Sequence, residues 1–385
     1  MKRVAAVLLV AALIAGIVIV PGCAKKQAAE KTIKIGVIAP MTGDVKTFGD
    51  STKKGFDLAL EEAGNKAGDF TIVPVYADDR NDPTESANVA TKLITQDGVK
   101  AIVGSVASKC SIAVSEICQA NKVVQITSTS TNPRVTVDPQ AGGRKDYVFR
   151  ACFIDPFQGK IAAKFALETL KCKTAAVMYD QGNDYTIGLA TYFKDNFEAG
   201  GGKIVAFEAY SKDDADFSGQ LTKIAALKPD LLYLPDYYNK VSLIGKQARD
   251  HGITCPMMGG DGWDSPDLDY ATMQGGYFTN HYSPDDPRPE VQKFVSAYKA
   301  KYGSTPDALA ALAYDATKLL LKAIETANSD DPTAIRDAMK NLSMDVVSGH
   351  VSFDANGDPT KAAVIMQVTY ENGKGGQKFV ATVNP

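Results

Sequence analysis

The residues best suited to chemistry stand in one row: Ile126-Thr127-Ser128-Thr129-Ser130-Thr131-Asn132-Pro133. An apolar run, Val123-Val124-Gln125-Ile126, reads as a short buried strand. It empties directly into a row of hydroxyls and stops at Asn-Pro, a turn signal. Hydroxyls, bare amides and carbonyls in one loop could hold a small polar molecule, although Ser/Thr clusters are more often ordinary loops. A second loop of the same kind lies one strand–helix unit earlier. Ala101-Ile102-Val103-Gly104 reads as a strand, and Ser105-Val106-Ala107-Ser108 opens the next helix. In an open parallel sheet, ligands bind outside the carboxyl ends of the strands, which is where both loops fall.

Other chemistry is scarce. The three histidines are His251, His281 and His350. His251 sits in a helix-end context, and His281 has no HxxxH partner. No GxSxG, HExxH, Walker loop or GxGxxG occurs. Gly259-Gly260-Asp261-Gly262 lacks the lysine and the spacing of a phosphate loop. Cys110 and Cys118 fall two turns apart on one predicted helix, about 12 Å at 1.5 Å per residue, too far to bridge. Without CxxC or Cys/His spacing, Cys110, Cys118, Cys152, Cys172 and Cys255 read as buried small hydrophobes, with no metal site and no cofactor. The net charge is −3 with acids and bases interspersed, which leaves no electrostatic footprint for nucleic acid. This points away from an enzyme.

The elements that must position these loops alternate strictly. At 385 residues the chain is too long for one typical core, so two lobes are expected. Strands are predicted at Thr32–Ile38, Phe70–Ala77, 101–104 and 123–126. Between them come helices with Ser51 as a cap, with Thr84 as a cap, and over 108–121. A second series has strands at Thr174–Tyr179, Lys203–Ala209, Leu231–Leu234 and Pro256–Met258. They open into Asp180–Tyr185, Pro235–Tyr238 and Gly259–Trp263. Helices over Pro287–Tyr302, Pro306–Asn328 and Ala334–Leu342 follow, then a β tail that turns at Glu371–Gly376. The pattern predicts α/β architecture with doubly wound parallel sheets.

The N-terminus reads as a secretory signal: Met1-Lys2-Arg3, an apolar run from Val4 to Val20, then Pro21-Gly22-Cys23. A small residue before Cys resembles a lipoprotein cleavage box. Cys23 is then the expected lipidated first residue, residues 1–23 the signal and 24–30 a polar tether. The localisation expected is the cell envelope, on the extracytoplasmic side of a membrane.

Several stretches resemble, in order, the leucine/isoleucine/valine-binding family of solute-binding proteins that feed ABC importers. They are Ile35-Gly36-Val37-Ile38-Ala39-Pro40-Met41-Thr42-Gly43, Phe48-Gly49-Asp50, Asp78-Asp79, Val103-Gly104, Ile126-Thr127, Arg150, Gln158-Gly159, Gln247-Ala248-Arg249 and Gly259-Gly260-Asp261-Gly262. The resemblance implies a type I periplasmic-binding fold whose chain crosses between lobes near Arg150–Asp155, Thr279–Ser283 and Met344–His350. Lobe 1 is then 31–151 with 282–345, and lobe 2 is 152–281 with 346–385. It implies a monomer that captures a free amino acid, most simply a branched aliphatic one, and passes it to permease subunits. Another amino acid, an amide or an aromatic acid is the alternative ligand. A signalling receptor of the same fold is the alternative class, disfavoured by the missing transmembrane helix after residue 23.

The same resemblance assigns the site. Ser108 matches a serine whose hydroxyl donates to the ligand carboxylate, at a helix start where free amides favour an anion. Thr131 matches a threonine whose amide serves the carboxylate and whose hydroxyl meets the ammonium. Thr129 matches a position that offers its carbonyl to the ammonium, and Asp261 an acid that pairs with it, glutamate in some relatives. Phe48, Tyr185 and Tyr237 match aromatic positions around the side-chain pocket. Trp263 either walls the pocket or packs. Asn81 stands where some relatives have a cysteine bridged to one near Ala107, so that disulfide is not expected. Read singly, Tyr185 and Tyr237 would be ordinary tyrosines and Asp261 a turn residue.

Overall fold

A computed structural model describes residues 31–140 and 142–384. The stretches read as signal and tether, Cys23 among them, lie outside the described residues. In chain order the first elements are β1 (Thr32–Ala39), α1 (Lys46–Glu62), β2 (Lys66–Ala67), β3 (Phe70–Asp78), α2 (Pro83–Lys92), β4 (Ala101–Val103), α3 (Ser108–Asn121), β5 (Val124–Thr127), β6 (Val137–Asp138), β7 (Gly143–Arg144) and β8 (Val148–Arg150). Then come α4 (Asp155–Glu168), β9 (Thr174–Asp180), α5 (Asp184–Ala199), β10 (Lys203–Tyr210), α6 (Ser218–Leu227), β11 (Leu231–Tyr233), α7 (Tyr238–Asp250), β12 (Met257–Gly259) and β13 (Tyr277–Asn280). The rest is α8 (Pro289–Tyr302), α9 (Ala308–Ala327), α10 (Pro332–Lys340), β14 (Ser343–Val346), β15 (Gly349–Ser352), β16 (Ala363–Glu371) and β17 (Lys374–Val383).

The first sheet runs β2-β3-β1-β4-β5-β8, parallel except for the short edge strand β2. The second runs β10-β9-β11-β12-β13-β16-β17, parallel as far as β13 and antiparallel through the last two strands. Two doubly wound lobes result, as the alternation predicted, each with an antiparallel edge. Strand order reverses direction at β1/β4 in one sheet and at β9/β11 in the other. The loops after these strands therefore open at the two switch points where α/β sheets bind ligands.

Strands β4, β5, β11 and β12 are buried throughout, as expected where helices cover both faces. Under one face of the first sheet, Ile33, Ile35, Val103 and Ile126 pack on Leu312, Leu319 and Leu320 of α9. On the other, Ile38 and Ile102 meet Ala90, Val114 and Cys118. The second lobe's core continues into the first through Phe48, Val106, Ala107 and Leu309. Lys361 donates to the Ala151 carbonyl at 2.8 Å and to the Ser348 hydroxyl. The Asp315 carboxylate accepts from the Val347 and Ser348 amides, each at 2.9 Å. Burial pushes the Lys361 ammonium down to about 8.

Several boundaries differ from the sequence reading. Helix α1 begins at Lys46, and Ser51 lies inside it, donating to Asp307 Oδ2 at 2.5 Å. Phe48, Gly49 and Asp50 therefore lie inside the helix, and Gly49 lets it pass close to the preceding loop: a Cβ there would lie 2.1 Å from the Pro40 carbonyl oxygen. The cap of α2 is Asp82, whose Oδ1 accepts from the Thr84 and Glu85 amides at 2.8 and 2.9 Å. The last hairpin turns on Asn372-Gly373 alone, both at positive φ (53° and 77°), the two-residue turn that matches strand twist. Strand β13 has no sequence signal beyond four residues, yet it joins β12 to β16. Cys110, Cys118, Cys152 and Cys172 are free and buried and Cys255 is half-buried. Asn81 Oδ1 lies 3.8 Å from Cys110 Sγ.

Candidate functional site

A narrow cleft with about 300 Å³ of empty space, open solvent included, lies between the lobes. Phe48, Val106, Ala107, Ser108, Thr129 and Leu309 line it from the first lobe, and Tyr185, Tyr237, Asp261 and Gly262 from the second. Phe48 enters from α1, Ser108 from the start of α3, and Thr129 from the loop after β5. Tyr185, Tyr237 and Asp261 follow β9, β11 and β12. Six of the seven residues expected from sequence thus meet around one space. Thr131 is buried behind it.

The hydroxyl row is divided between scaffold and site. Thr127 donates to the Ser105 carbonyl at 2.7 Å, and Thr129 and Ser130 to the Val106 carbonyl at 3.0 and 2.8 Å. The hydroxyls of Ser128 and Thr131 have no partner. Arg150, fully buried, holds this loop from below. Its Nη1 donates to the Ser130 carbonyl at 2.7 Å and its Nη2 to the Asn132 carbonyl at 3.0 Å. Its Nε donates to Asp358 Oδ1 at 2.5 Å. The loop after β4 can approach closely because Gly104 has φ +121°, and a Cβ there would sit 2.2 Å from the Ile38 carbonyl oxygen. Ser108 begins α3 with no side-chain cap on its first amides.

Across the cavity, Asp261 is held by its own lobe. Its Oδ1 accepts from Gln158 Nε2 at 2.8 Å and from the Tyr185 hydroxyl at 3.0 Å. Its Oδ2 lies 3.2 Å from His281 Nε2. Gly260 makes room: a Cβ there would lie 2.5 Å from the Tyr185 hydroxyl and 2.8 Å from Gln158 Nε2. Tyr185 and Tyr237 stack at 5.3 Å, and Phe48 meets Tyr237 edge-on at 5.6 Å. Burial drives both tyrosine hydroxyls far above their ordinary titration range. Behind the cavity Asp155 is fully buried; burial, aided by the Asp261 charge, pushes its carboxyl up to about 8. The Thr131 hydroxyl lies beside it, outside hydrogen-bonding geometry.

Sequence reasoning missed Gln158 and His281 as partners of Asp261, and Leu309 as a wall. Gln158 stood among the resembling residues, but nothing marked its target. Leu309 comes from a helix remote in sequence. Trp263 packs: it is fully buried, and its Nε1 donates to the Leu234 carbonyl at 2.9 Å. The lobes also touch around the cavity. Tyr238 donates to the Asp44 carbonyl at 3.2 Å, and the Thr47 and Ser265 hydroxyls pair at 2.9 Å. Arg134 meets Asp184 at 2.5 Å, and Asp264 Oδ2 accepts the Ala308 amide at 2.8 Å.

Two switch points facing one shared cleft suit capture of a small molecule, and similarity to known proteins agrees. The periplasmic binding protein family model matches residues 32–377. A Leu/Ile/Val-binding protein homolog of Brucella melitensis is 32% identical over 86% of this chain and 90% of its own length. The crystal structure of a leucine-binding protein, LivK, from Thermotoga maritima is 40% identical with a TM-score of 0.86, covering 92% of this chain and 99% of that one. LivJ of Streptococcus pneumoniae, solved with isoleucine, is 32% identical with a TM-score of 0.81, covering 91% and 99%. The chain belongs to the periplasmic binding protein family, with the α/β type I binding fold.

Proposed function

We propose that the protein captures a free amino acid, of the branched aliphatic class, between its lobes and delivers it to an ABC permease. One observation carries this reading: a buried carboxylate, Asp261, faces an uncapped helix start, Ser108, across a space walled by Phe48, Leu309 and two stacked tyrosines. An ion of each sign has its complement, and an alkyl side chain has its apolar wall. The ammonium falls to Asp261, the Thr129 carbonyl and the unspent Thr131 hydroxyl. The carboxylate falls to the Ser108 hydroxyl and the amides of α3 and Thr131. A buried charge needs such pairing. The hinge lies at Arg150–Asp155, Thr279–Ser283 and Met344–His350, between lobes bounded as 31–151 with 282–345 and 152–281 with 346–385.

Calorimetry with leucine, isoleucine and valine tests the reading directly. Ser108→Ala should weaken leucine about tenfold to a hundredfold, the worth of one hydrogen bond to a charged group, while the ligand-free melting temperature stays nearly constant. Tight benzoate binding with every amino acid silent would move the protein to aromatic acids.

Cys23 is the proposed anchor, diacylated after cleavage, which keeps the binding lobes near their permease. Globomycin should block processing, and the mature protein should fractionate with membranes. A freely soluble wild-type protein starting elsewhere than Cys23 would refute the anchor.

A further inference from the structure

His281 has no counterpart among the residues assigned from sequence, yet it is buried against the acid that the proposed ammonium would meet. It ends the run from β13, at one of the proposed crossings. Its ring stacks on Phe153 at 3.8 Å between centroids and 28° between planes. Its Nε2 lies 3.2 Å from Asp261 Oδ2, and its Nδ1 is buried without a partner. Against a carboxylate, Nε2 must carry the proton, so the neutral ring donates there and leaves Nδ1 bare.

An ionised carboxylate has about four acceptor directions. Gln158 and Tyr185 take two at Oδ1, and His281 takes one at Oδ2. One direction at Oδ2 is left. All three donors come from the second lobe, so the acid is oriented before the lobes close. We infer that His281 is a positioning residue for ligand recognition: its Nε2–H fixes Asp261 so that the remaining Oδ2 lone pair faces the ligand's ammonium. This rests on the amino-acid reading of the cavity.

The neutral ring matters as much as its position. A protonated ring would offer Asp261 a full positive charge, compete with the ammonium for it, and strand a second N–H in the core. The charged groups facing the ring are Asp261 and Asp264, which favour protonation, and Lys361, which opposes it. Burial is the largest influence and holds the imidazole below its ordinary value. Ligand should therefore bind the neutral form, and acidification through the His281 titration should weaken binding by up to about tenfold per pH unit.

The test pairs His281→Phe, which keeps a flat ring on Phe153 and removes the donor, with His281→Gln, which places an amide N–H near the Nε2 position. Leucine affinity is measured by calorimetry on the full mature chain from neutral pH down through the His281 titration, which NMR of the ring protons locates. His281→Phe should lose about tenfold to a hundredfold at neutral pH. His281→Gln should stay within a few-fold of wild type at neutral pH and lose the acid limb of the profile. Asp155, Asp236 and Asp307 are common to both proteins, so the difference between the profiles isolates His281. Wild-type affinity in the Phe variant, equal weakness in both variants, or superimposable profiles of wild type and the Gln variant would overturn the assignment. If the Phe variant does not fold, the Gln profile decides alone. A wild type that binds no amino acid overturns the site reading and this inference with it; wild-type binding with indifferent variants overturns this inference only.

Discussion

Asp261→Asn should abolish amino-acid binding at ordinary concentrations. The carboxylate is buried, and three donors already converge on it. The amide that replaces it has one acceptor oxygen for those donors and no charge for an ammonium. Removing one partner of a buried ion pair costs about 3–5 kcal/mol, a hundredfold to a few thousandfold in affinity. Asp261→Glu keeps the charge and should retain measurable binding. The keto acid of leucine and N-acetyl-leucine should fail against wild type, because each leaves Asp261 buried and unpaired. Calorimetry on these ligands decides the matter. An Asn variant that binds leucine within tenfold of wild type would remove Asp261 from ammonium recognition.

The second large effect is on stability. Arg150→Met leaves Asp358 in the core with only the Thr136 hydroxyl as a side-chain donor at 2.9 Å. It also frees the Ser130 and Asn132 carbonyls from their clamp. The expected loss is about 3–5 kcal/mol, read as a lower urea midpoint. Lysine at the same place should not rescue it, since one ammonium cannot span the planar fork's targets. Adding Asp358→Leu to Arg150→Met should recover part of the loss, because removing both partners of a buried pair is far milder than removing one. A single variant that unfolds like wild type would show that the clamp contributes little.

These two residues show how unevenly the sequence exposes a site. The architecture was legible because β4, β5, β11 and β12 are short apolar runs that end in polar loops, a pattern set by burial on both faces. Ser108, Thr129, Tyr237 and Asp261 could be placed together because each follows such a strand, and Tyr185 because it follows the β9 run; Phe48 was placed by resemblance. Their roles came from resemblance, since a serine at a helix start and an aspartate between glycines are common features. The supports were not legible. Arg150 stood among the resembling residues with no role marked, and only the fold brings the Ser130, Asn132 and Asp358 oxygens to its guanidinium. His281 is 20 residues from Asp261 and meets it only because β13 pairs beside β12.

The contacts at the rim of the cleft carry a further consequence. Tyr238 with Asp44, Thr47 with Ser265, Arg134 with Asp184, and Asp264 with the start of α9 join the lobes without touching the cavity. None of them needs a ligand to form. They therefore set how much of the empty protein already rests shut, and the apparent dissociation constant is the intrinsic one divided by the fraction in the competent form. Two proteins with the same cavity could differ tenfold in affinity through about 1.4 kcal/mol at the rim. Scavenging from dilute or rich surroundings can thus be tuned by residues that have no part in choosing the ligand.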